Sequence, residues 1–489
     1  MIFIFSVVIL AAFLRLYRIE DYMTFLGDEG RDVLVVKHII VDHKFTLLGP
    51  TASVGGFFLG PIYYYLMVPF LWLARLDPVG PAVMVALFGI ATVFLIYQVG
   101  KSFFGKKAGG VASVLYAISP LVISYSRSSW NPNLMPFFSL LIIYLSWKVV
   151  SKNRWDLLFL VGILFGVLFQ LHYLAAFLFL IVMIYILNAG GVKKIKEYIK
   201  FLIGLIIGIS PFLLFEGRHG FPNTQLLIKF IFTSNDTGFT GLKFLPTVGD
   251  VFYRLFSRLV TNNDTFLAVI AITISIFSIS LLFKDARNKK IIHADATFKI
   301  MVLWLFLGIL LFGFYRKGIY DYYFGFMFPL PFLLIGLGLP KITNTRIIGK
   351  ILALFIFAAF IWVNVKGVPF KYIPNRQLAQ TKVVAKLIFD KSEGKPLNIA
   401  LLTGGNSDHA YRYFLEIWNN PPVTIENTQV DPQRKSVTDQ LFVICEVADC
   451  KPLGHSLWEI AGFGRAEIAS EWNASVIKVF KLIHYQERK

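Results

Sequence analysis

Charged residues and cysteines are both scarce in this sequence. Only 16% of the 489 residues are charged, and the two cysteines, Cys445 and Cys450, both lie near the C-terminus. No Cys/His cluster has the spacing of a zinc site, and no repeat period is evident. A disulfide between the two cysteines would close a small loop, and it requires that this region lie outside the cytoplasm. These absences exclude a disulfide-rich scaffold, a zinc module and a repeat array.

Hydrophobic residues, by contrast, make up 56% of the chain, and the mean hydropathy is +0.65. This composition is too apolar for a soluble globular protein and indicates a polytopic membrane protein. The 49 phenylalanines are expected for lipid-facing and interfacial packing. Because the chain is so apolar, we attribute its net charge of +19 to basic loops at a cytoplasmic leaflet rather than to nucleic-acid binding.

About eleven hydrophobic segments are candidate membrane spans. Residues Ile2–Leu14 have the length of a signal-peptide core, but a basic n-region and a clear small-x-small cleavage site are lacking. We therefore expect a retained first span that continues to about Tyr17. The Tyr-rich run Ile62–Leu73, interrupted by Pro69, leaves open whether that segment also crosses the membrane. Ten further spans are expected at about 79–99, 108–126, 136–150, 155–171, 173–188, 199–215, 266–283, 298–314, 322–339 and 348–365.

Basic residues concentrate in alternate loops between these spans. Seventeen Lys and Arg residues form five groups in these loops, and Glu197 and Asp285 are the only acids between the limits of the groups. An excess of Lys and Arg marks cytoplasmic loops, so the remaining loops are expected outside: 127–135, the turn near His172, 216–265, 315–321 and the segment after about Lys366. The basic residues are Lys101, Lys106, Lys107, Lys148, Lys152, Arg154, Lys193, Lys194, Lys196, Lys200, Lys284, Arg287, Lys289, Lys290, Lys341, Arg346 and Lys350.

The C-terminal segment, 366–489, differs in composition from the membrane part, 1–365. It is polar, with β-like runs at 398–402, 423–425, 441–445 and 476–482 and helical stretches near 378–391 and 408–418. We predict a small extracytoplasmic α/β domain. Its Thr403-Gly404-Gly405-Asn406 turn follows a strand and precedes a helix, so it is either a plain connection or an anion site at a helix N-terminus.

The first outer loop, 20–77, contains the adjacent carboxylates Asp28 and Glu29, with Arg31 close by. Juxtamembrane helices are expected in this loop, one of them amphipathic and running from Arg31 to Ile40. The two acids have two interpretations. They belong to a solvated first helical turn, where carboxylates favour the helix dipole, or they form an acid/base or cation-handling centre.

Further polar residues lie at span ends on the same predicted side, including Glu216, Arg218 and His219. Each has a structural interpretation, such as a snorkelling Arg127, a backbone-bonded His172 or an aromatic belt at Tyr322 and Tyr323. Taken together on one membrane face, these polar residues and the first-loop carboxylates favour an anionic lipid-linked substrate. The cationic side chains would hold its phosphate, and a carboxylate would take a proton from the acceptor.

Five motifs in this order are similar to glycosyltransferase family 39, of the C-type membrane fold. They are Asp28-Glu29, Gly60-Pro61-Ile62-Tyr63-Tyr64-Tyr65, Tyr125-Ser126-Arg127, Gln170-Leu171-His172, and Tyr322-Tyr323-Phe324 through Pro329-Leu330-Pro331. This family contains protein O-mannosyltransferases and the aminoarabinose transferase of lipid A. The resemblance covers about the first three quarters of the chain.

The resemblance implies a polyprenyl-phosphate donor, inversion at the sugar carbon, and a first loop outside with Ile62–Leu73 as a helix that does not cross. It implies Asp28 and Glu29 as catalytic residues, with Asp28 as the base and Glu29 supporting or sharing that role. It also implies Arg127 in the site and His172 in contact with phosphate. Two departures stand out. Asp321 occupies the place of the usual Arg before the Tyr pair, and the C-terminal segment does not resemble a β-trefoil module, so a protein acceptor is not implied.

We therefore expect a multi-pass enzyme of the cell membrane that transfers a sugar to a protein, lipid or glycan acceptor at the outer face. Its donor-phosphate or substrate-binding residues are Arg127, His172, Arg316, Lys317, Tyr63, Tyr322, Arg31 and Asn131. No cofactor or metal is required, although Asp28 and Glu29 leave a divalent cation open. The alternatives are a lipid-linked sugar flippase or transporter, which needs ionisable residues near span midpoints, and a non-catalytic sensor.

Overall fold

The structure is a computed structural model, and it describes residues 2–288, 293–343 and 347–486. Three basic residues assigned above to cytoplasmic loops, Lys289, Lys290 and Arg346, lie outside the described residues. The remaining fourteen are described.

Helices make up most of the described chain, and four strands lie near its C-terminus. The helices are α1 (Ile2–Leu16), α2 (Ile19–Tyr22), α3 (Gly27–Val41), α4 (Ile62–Leu73), α5 (Val79–Phe104), α6 (Lys106–Ile118), α7 (Pro120–Tyr125), α8 (Met135–Ser151), α9 (Leu158–Leu171), α10 (Ala175–Gly190), α11 (Ile195–His219), α12 (Pro222–Phe232), α13 (Phe244–Val260), α14 (Thr265–Asn288), α15 (Ala294–Val302), α16 (Gly308–Leu310), α17 (Pro329–Ile342), α18 (Ile347–Lys366), α19 (Gln377–Lys391), α20 (His409–Ile417) and α21 (Trp458–Phe463). The strands are β1 (Asn398–Leu402), β2 (Gln440–Cys445), β3 (Ala466–Ala474) and β4 (Ile477–His484).

Six helical segments of the described residues are long and apolar enough to cross a membrane. They are Val79–Phe104, Asn131–Ser151, Val192–His219, Thr265–Asn288, Ala294–Phe314 and Ile347–Lys366. A 3-10 helix, Asp321–Met327, and α17 form a pair bent by 55° that makes a seventh if counted as one span. The other four predicted spans coincide with shorter or interrupted helices, namely α1, α6 with α7, α9 and α10.

Helix α4 is too short to span a bilayer. Its twelve residues rise about 18 Å at 1.5 Å per residue, whereas a hydrocarbon core is about 30 Å thick. A juxtamembrane position, as the family resemblance implies, therefore fits its length.

Residue contacts divide the chain into two compact units. The helical unit comprises Met1–Ile19, Phe45–Phe70 and Gly80–Ile373, and the α/β unit comprises Glu20–Lys44, Leu71–Val79 and Pro374–Lys489. The predicted boundary between residues 365 and 366 stays a prediction. The contacts add to the C-terminal segment two pieces of the predicted first outer loop, including α3.

Helices α9 and α11 pack closely within the helical unit because small residues line their contact. A Cβ atom added at Gly162 would lie 2.1 Å from the carbonyl oxygen of Phe201, and one at Gly204 would lie 2.1 Å from that of Phe159. Such small-residue contacts let backbones approach where the hydrophobic effect provides no drive between helices.

The α/β unit contains a four-stranded sheet with the order β1-β2-β4-β3. β1 and β2 are parallel, and the β2–β4 and β3–β4 pairs are antiparallel. Both β1 and β2 are buried along their whole length, and their side chains pack with Ile425, Ile460 and Phe463 in one apolar core. Cys445, the last residue of β2, forms a disulfide with Cys450.

Three of the four predicted β-runs are strands, and residues 423–425 are not. Val423 donates one backbone hydrogen bond to the carbonyl of Leu397 (2.8 Å) but forms no ladder. No strand was predicted at β3, whose sequence, AEIASEWNA, mixes polar and apolar residues and has a single buried position.

Candidate functional site

The two first-loop carboxylates lie in the first turn of α3, in the α/β unit. The helix begins at Gly27, four residues before the predicted start, and the Glu29 side chain accepts a hydrogen bond from the Leu26 backbone N–H (3.0 Å). This bond satisfies one of the amide donors that a helix N-terminus leaves unpaired. The acids also complement the positive end of the helix dipole.

Asp28 and Glu29 are adjacent in sequence but differ in environment. The Asp28 side chain is 56% exposed, and its Oδ1 accepts a hydrogen bond from Arg31 Nη1 at 2.8 Å. Glu29 is buried, and burial raises the pKa of its carboxyl to about 7. The accessible Asp28 is therefore the better candidate for contact with a substrate, and Glu29 caps the first turn. The predicted catalytic role of both acids stays a prediction.

Arg31, predicted to bind substrate, contacts two carboxylates of its own helix. Besides Asp28, its Nε and Nη2 donate to Oδ1 of the buried Asp32 at 2.9 and 2.8 Å. Arg31 thus holds Asp28 in place from one side. Its predicted contact with substrate stays a prediction.

In the helical unit, His172 lies in the turn between α9 and α10. It is buried, its Nδ1 accepts a hydrogen bond from the Leu174 backbone N–H (3.2 Å), and burial lowers its pKa to about 3. The ring stacks on Tyr173 with centroids 4.5 Å apart and lies 5.9 Å from the ring of Tyr322. Without a bound anion His172 is therefore neutral at physiological pH. Its predicted contact with phosphate stays a prediction.

The segment that follows α7 brings three more predicted residues to this turn. Asn131 Nδ2 donates to the carbonyl of Leu171 (2.6 Å), so Asn131 fixes the backbone beside His172. The buried Tyr63 shares a hydrogen bond with Ser129 Oγ (2.8 Å), and Trp130 packs against Tyr322 with ring centroids 4.4 Å apart. His172 and Tyr322 thus lie in one aromatic cluster with Trp130 and Tyr173, and Asn131 and Tyr63 bond to chain segments beside it. Their shared role in binding substrate stays a prediction.

Arg127, predicted to bind phosphate, occupies a structural position at the end of α1. Its buried guanidinium donates to the carbonyl oxygens of Leu14 (2.9 Å), Arg15 (3.2 Å) and Tyr17 (2.7 Å). Helix C-terminal carbonyls lack partners within the helix and carry partial negative charge, so a buried cation is stabilising there. The predicted contact with phosphate stays a prediction, but these donors are engaged with α1.

Arg316 and Lys317 contact the loop that follows α12. Arg316 Nη2 donates to the carbonyl of Phe239 (3.0 Å), and Lys317 Nζ lies 2.8 Å from Asp236 Oδ2. These contacts order the loop before the Tyr pair. Their predicted role in binding the donor phosphate is untested.

Two arginines that the sequence analysis missed lie next to the Tyr pair. Arg254 and Arg258, on α13, both contact the buried Asp321, with Arg254 Nε 2.9 Å from Oδ1 and Arg258 Nη1 3.1 Å from Oδ2. Although Asp321 stands where the family usually has an Arg, two arginines from a distant segment of the chain contact it and supply positive charge beside the Tyr pair. The strongly amphipathic pattern of α13, with Arg at positions 254 and 258 on one helix face, was the available signal.

An apolar cavity of about 480 Å³ adjoins the aromatic cluster. It lies among α9, α10, α11 and α12, and Tyr173 and Tyr315, whose hydroxyls are 3.4 Å apart, form part of its wall. The rest of the lining is mainly Phe, Leu and Ile, including Phe57, Phe177 and Phe230. Such a cavity accommodates a hydrocarbon chain, with hydroxyl groups at its edge.

Within the described part of the chain, Asp28 and Glu29 are not among the groups of side chains with the geometry of a metal site. Among the described residues, the only group of three or more His, Cys, Asp or Glu side chains with converging ligand atoms is His38, Asp42 and Glu416. Lys37 Nζ lies 3.1 Å from Asp42 Oδ2 and 3.0 Å from Glu416 Oε1, so an ammonium already neutralises that group.

Comparisons with known proteins point to sugar-transferring membrane enzymes. Residues 60–215 match the family model described as dolichyl-phosphate-mannose-protein mannosyltransferase. The putative mannosyltransferase YkcB of Bacillus subtilis (strain 168) is 32% identical over 121 residues, which are 24% of this chain and 17% of that protein. The chain thus matches about a sixth of this relative's length.

Two solved structures share the fold over most of the chain. ArnT from Cupriavidus metallidurans, bound to undecaprenyl phosphate, matches with a TM-score of 0.64 at 13% identity, covering 98% of this chain and 97% of that one. AglB, an oligosaccharyltransferase from Archaeoglobus fulgidus in complex with an inhibitory peptide and a dolichol-phosphate, matches with a TM-score of 0.54 at 12% identity, covering 90% and 69%. The protein is therefore an integral membrane protein with the C-type glycosyltransferase fold, and the family resemblance predicted from its sequence motifs is confirmed.

Proposed function

We propose that the protein transfers a sugar from a polyprenyl-phosphate donor to an acceptor at the outer face of the membrane. The cavity of about 480 Å³ beside Tyr173 and Tyr315 carries this proposal, because a lipid-linked donor needs an apolar site for its chain next to polar groups for its head. Undecaprenyl phosphate and dolichol-phosphate, which ArnT and AglB bind, belong to the same chemical class.

In the proposed reaction the acceptor attacks the anomeric carbon in a single inverting step. Asp28 takes the proton from the acceptor hydroxyl or amine as the new bond to carbon forms. The bond between the anomeric carbon and the phosphate oxygen breaks, and polyprenyl phosphate leaves. The negative charge on the leaving phosphate needs cations or hydrogen-bond donors, but no metal.

The arginines that contact Asp321 supply cationic charge in the helical unit. The Arg258 side chain is 47% exposed, so its guanidinium is accessible beyond its contact with Asp321. We assign Arg258, with Arg316 and Lys317, to the leaving phosphate, since guanidinium and ammonium groups both bind phosphate oxygens. Neutral His172 and the hydroxyls of Tyr63 and Tyr322 serve as donors to the sugar or phosphate.

Two independent features support an extracytoplasmic position of the α/β unit. Disulfides such as Cys445–Cys450 persist in oxidising compartments and are rare in the cytosol. The loops rich in Lys and Arg belong to the opposite side of the predicted topology. Together they support an outer-face reaction.

The transporter alternative has less support. In the described part of the chain, the buried charged residues of the helical unit lie close to helix ends. Arg15 is the penultimate residue of α1, Arg127 follows α7, Glu216 lies in the last turn of α11, and Asp321 begins its 3-10 helix. A transport pathway requires ionisable groups near the bilayer midplane.

The experiment is a transfer assay with purified protein and radiolabelled polyprenyl-phosphate sugars, beginning with the mannosyl donor. Asp28→Asn removes the proposed base, and Asp156→Asn is its matched control. The two aspartates are 56% and 58% exposed, and each contacts a nearby arginine. We expect wild-type protein and Asp156→Asn to transfer sugar and Asp28→Asn to lose at least about 99% of the rate. Equal transfer by Asp28→Asn would exclude Asp28 as the base.

A further inference from the structure

The Thr403–Asn406 turn contacts the first turn of α3, within the α/β unit. Asn406 Oδ1 accepts a hydrogen bond from the Gly27 backbone N–H at 2.8 Å, and it also accepts one from the Ser407 N–H. Of the two interpretations that the sequence left open, the structure favours the connection, because the side chain at the end of this turn is already bound to protein. The turn supplies a hydrogen-bond acceptor to the first turn of α3, the helix that carries Asp28.

Two glycines bring the backbones of the two segments together. A Cβ atom at Gly27 would lie 2.1 Å from Ser407 Oγ, and one at Gly30 would lie 2.2 Å from the backbone nitrogen of Ala410. At Gly30 the obstacle is backbone, which cannot rotate away as a flexible side chain can. Asp28 lies between these glycines, so the packing constrains the turn on which it stands.

Glu446 fixes Asn406 from the other side. Asn406 Nδ2 lies 3.1 Å from both Glu446 carboxylate oxygens, and these oxygens also accept from Thr403 Oγ1 (2.9 Å) and Tyr411 Oη (2.7 Å). Glu446 directly follows β2, and its backbone N–H donates to the carbonyl of Leu402 in β1 (2.9 Å). The network therefore connects the buried sheet to the amide of Gly27.

A second connection lies near the opposite end of α3. Glu416 Oε1, on α20, is 3.0 Å from Lys37 Nζ and 2.5 Å from His38 Nε2. Helix α20 begins shortly after Asn406 and packs along α3. The two connections hold α3 at both ends, which fixes its rotation as well as its position.

We infer that the α/β unit positions the carboxylate of Asp28, and that Asn406, oriented by Glu446, is its principal positioning residue. This inference rests on the proposed function, in which Asp28 takes the acceptor proton. A base that is displaced by about 1 Å loses about a hundredfold in rate although it is chemically intact. The α/β unit is accordingly part of the catalytic apparatus and not an accessory domain.

Two substitutions with matched controls test the inference. Asn406→Ala removes the acceptor of the Gly27 N–H, whereas Asn420→Ala removes a hydrogen bond of similar length to Ser392 elsewhere in the unit (2.8 Å). Gly30→Ala forces α3 off Ala410, whereas a Cβ at Gly217, an exposed glycine of α11, would meet no atom within 4 Å. We expect Asn406→Ala and Gly30→Ala to lower kcat at least about tenfold, with the donor KM within about twofold, and Asn420→Ala and Gly217→Ala to retain the wild-type kcat.

Amide hydrogen exchange gives a readout that does not depend on transfer. Asn406→Ala should accelerate exchange in the peptide that contains Gly27 to Arg31, while exchange in β1 and β2 stays at its wild-type rate. In the double variant Asn406→Asp with Glu446→Gln, the aspartate keeps an acceptor for the Gly27 N–H, and the glutamine amide supplies the donor that Asn406→Asp alone removes from the pair of side chains. The double variant should recover kcat relative to either single change, a result that a general loss of folding does not predict.

The outcomes separate this inference from the proposed function. If Asp28→Asn is inactive while Asn406→Ala and Gly30→Ala keep the wild-type kcat and exchange rates, the positioning role is wrong and the proposed function stands. If Asp28→Asn retains transfer, or wild-type protein transfers no sugar, the proposed base or function is wrong and the positioning role is rejected with it.

Discussion

Arg254 binds Asp321 through two guanidinium nitrogens, and this buried ion pair fixes the start of the helix that carries Tyr322 and Tyr323. Arg254 Nε lies 2.9 Å from Asp321 Oδ1, Nη2 contacts the same oxygen, and Nη1 donates to the carbonyl of Ile319 at 2.8 Å. The side chains of Arg254 and Asp321 are 17% and 8% exposed. The pair therefore orders the backbone before the Tyr pair, besides bringing Arg258 to the same carboxylate.

Loss of the Asp321 carboxylate should destabilise the helical unit. Asp321→Ala removes the buried carboxylate that Arg254 and Arg258 share and leaves Arg254 paired with the exposed Asp250 alone. Because that pair remains, we expect a loss of about 1.5–3 kcal/mol, the range for a hydrogen bond to a charged group, rather than the about 3–5 kcal/mol of a fully buried pair. The control is Asp236→Ala, which removes a pair with the exposed Lys317 and should cost about 1 kcal/mol or less. Thermal unfolding in detergent, followed by intrinsic fluorescence, measures both. Equal melting temperatures for the two variants would contradict the structural role of Asp321.

The buried Glu29 predicts a pH dependence of the stability of the α/β unit. Burial raises its pKa to about 7 in the folded protein, against about 4.3 in an unfolded chain. The folded state thus binds the proton more tightly, so stability is highest below about pH 4.3 and falls as the pH rises to about 7. Above that pH both states are ionised, and the loss is complete at about 3–4 kcal/mol.

Glu29→Gln should remove this component, because glutamine keeps an oxygen for the Leu26 N–H and carries no charge. We expect the difference in unfolding free energy between pH 4.5 and pH 7.5 to shrink in Glu29→Gln relative to wild type. Glu20→Gln, an exposed first-loop acid, is the control and should leave the difference unchanged. A pH profile of Glu29→Gln that superimposes on the wild-type profile would show that Glu29 titrates normally.

Arg127 should contribute to stability more than to donor binding. Its guanidinium contacts the carbonyls of Leu14, Arg15 and Tyr17, and a lysine at this position cannot reproduce that planar set of donors. A hydrogen bond to a charged group contributes about 1.5–3 kcal/mol to the free energy of unfolding. Arg127→Lys should therefore lower the melting temperature clearly. The exposed Arg154→Lys serves as control. If Arg127→Lys melts at the wild-type temperature but has a raised donor KM, Arg127 binds the donor phosphate instead.

Much of this architecture could be predicted because local patterns are strong. The long apolar runs located the membrane helices, and the apolar runs at 398–402 and 441–445 located β1 and β2, since fully buried parallel strands are continuous hydrophobic segments. β3 was not predictable in the same way, because a register shift between Ile468 and Ser470 interrupts its alternation of polar and apolar residues and only Ala474 is buried. Its stability comes from pairing with β4.

The candidate site was harder to predict because its partners are distant in sequence. Asp28 was found by its position in the first loop, but the bond between Gly27 and Asn406 joins residues 379 positions apart. Likewise, nothing local to Asp321 reveals that Arg254 and Arg258 reach it from α13. Single-sequence patterns report which segments are buried, whereas these contacts depend on how the segments pack.

Filling the apolar cavity should reduce the binding of long-chain donors. Ala176 lines this cavity and is itself exposed within it, so Ala176→Trp adds an indole ring to the space without overpacking the core. We expect the donor KM to rise at least about tenfold for a long polyprenyl chain and to change within about twofold for a short, water-soluble prenyl chain. The apolar chain of the long donor has the most buried surface to lose.

The control for this prediction is Ile206→Trp on α11, at an exposed position that does not line the cavity. It should leave both donors at the wild-type KM, because the added ring projects away from the proposed chain site. A transfer assay with the two donors, run in parallel on the three proteins, measures the chain-length preference directly. If Ala176→Trp raises the KM of both donors equally, the cavity is not the site of the prenyl chain, and the donor must reach the aromatic cluster by another surface.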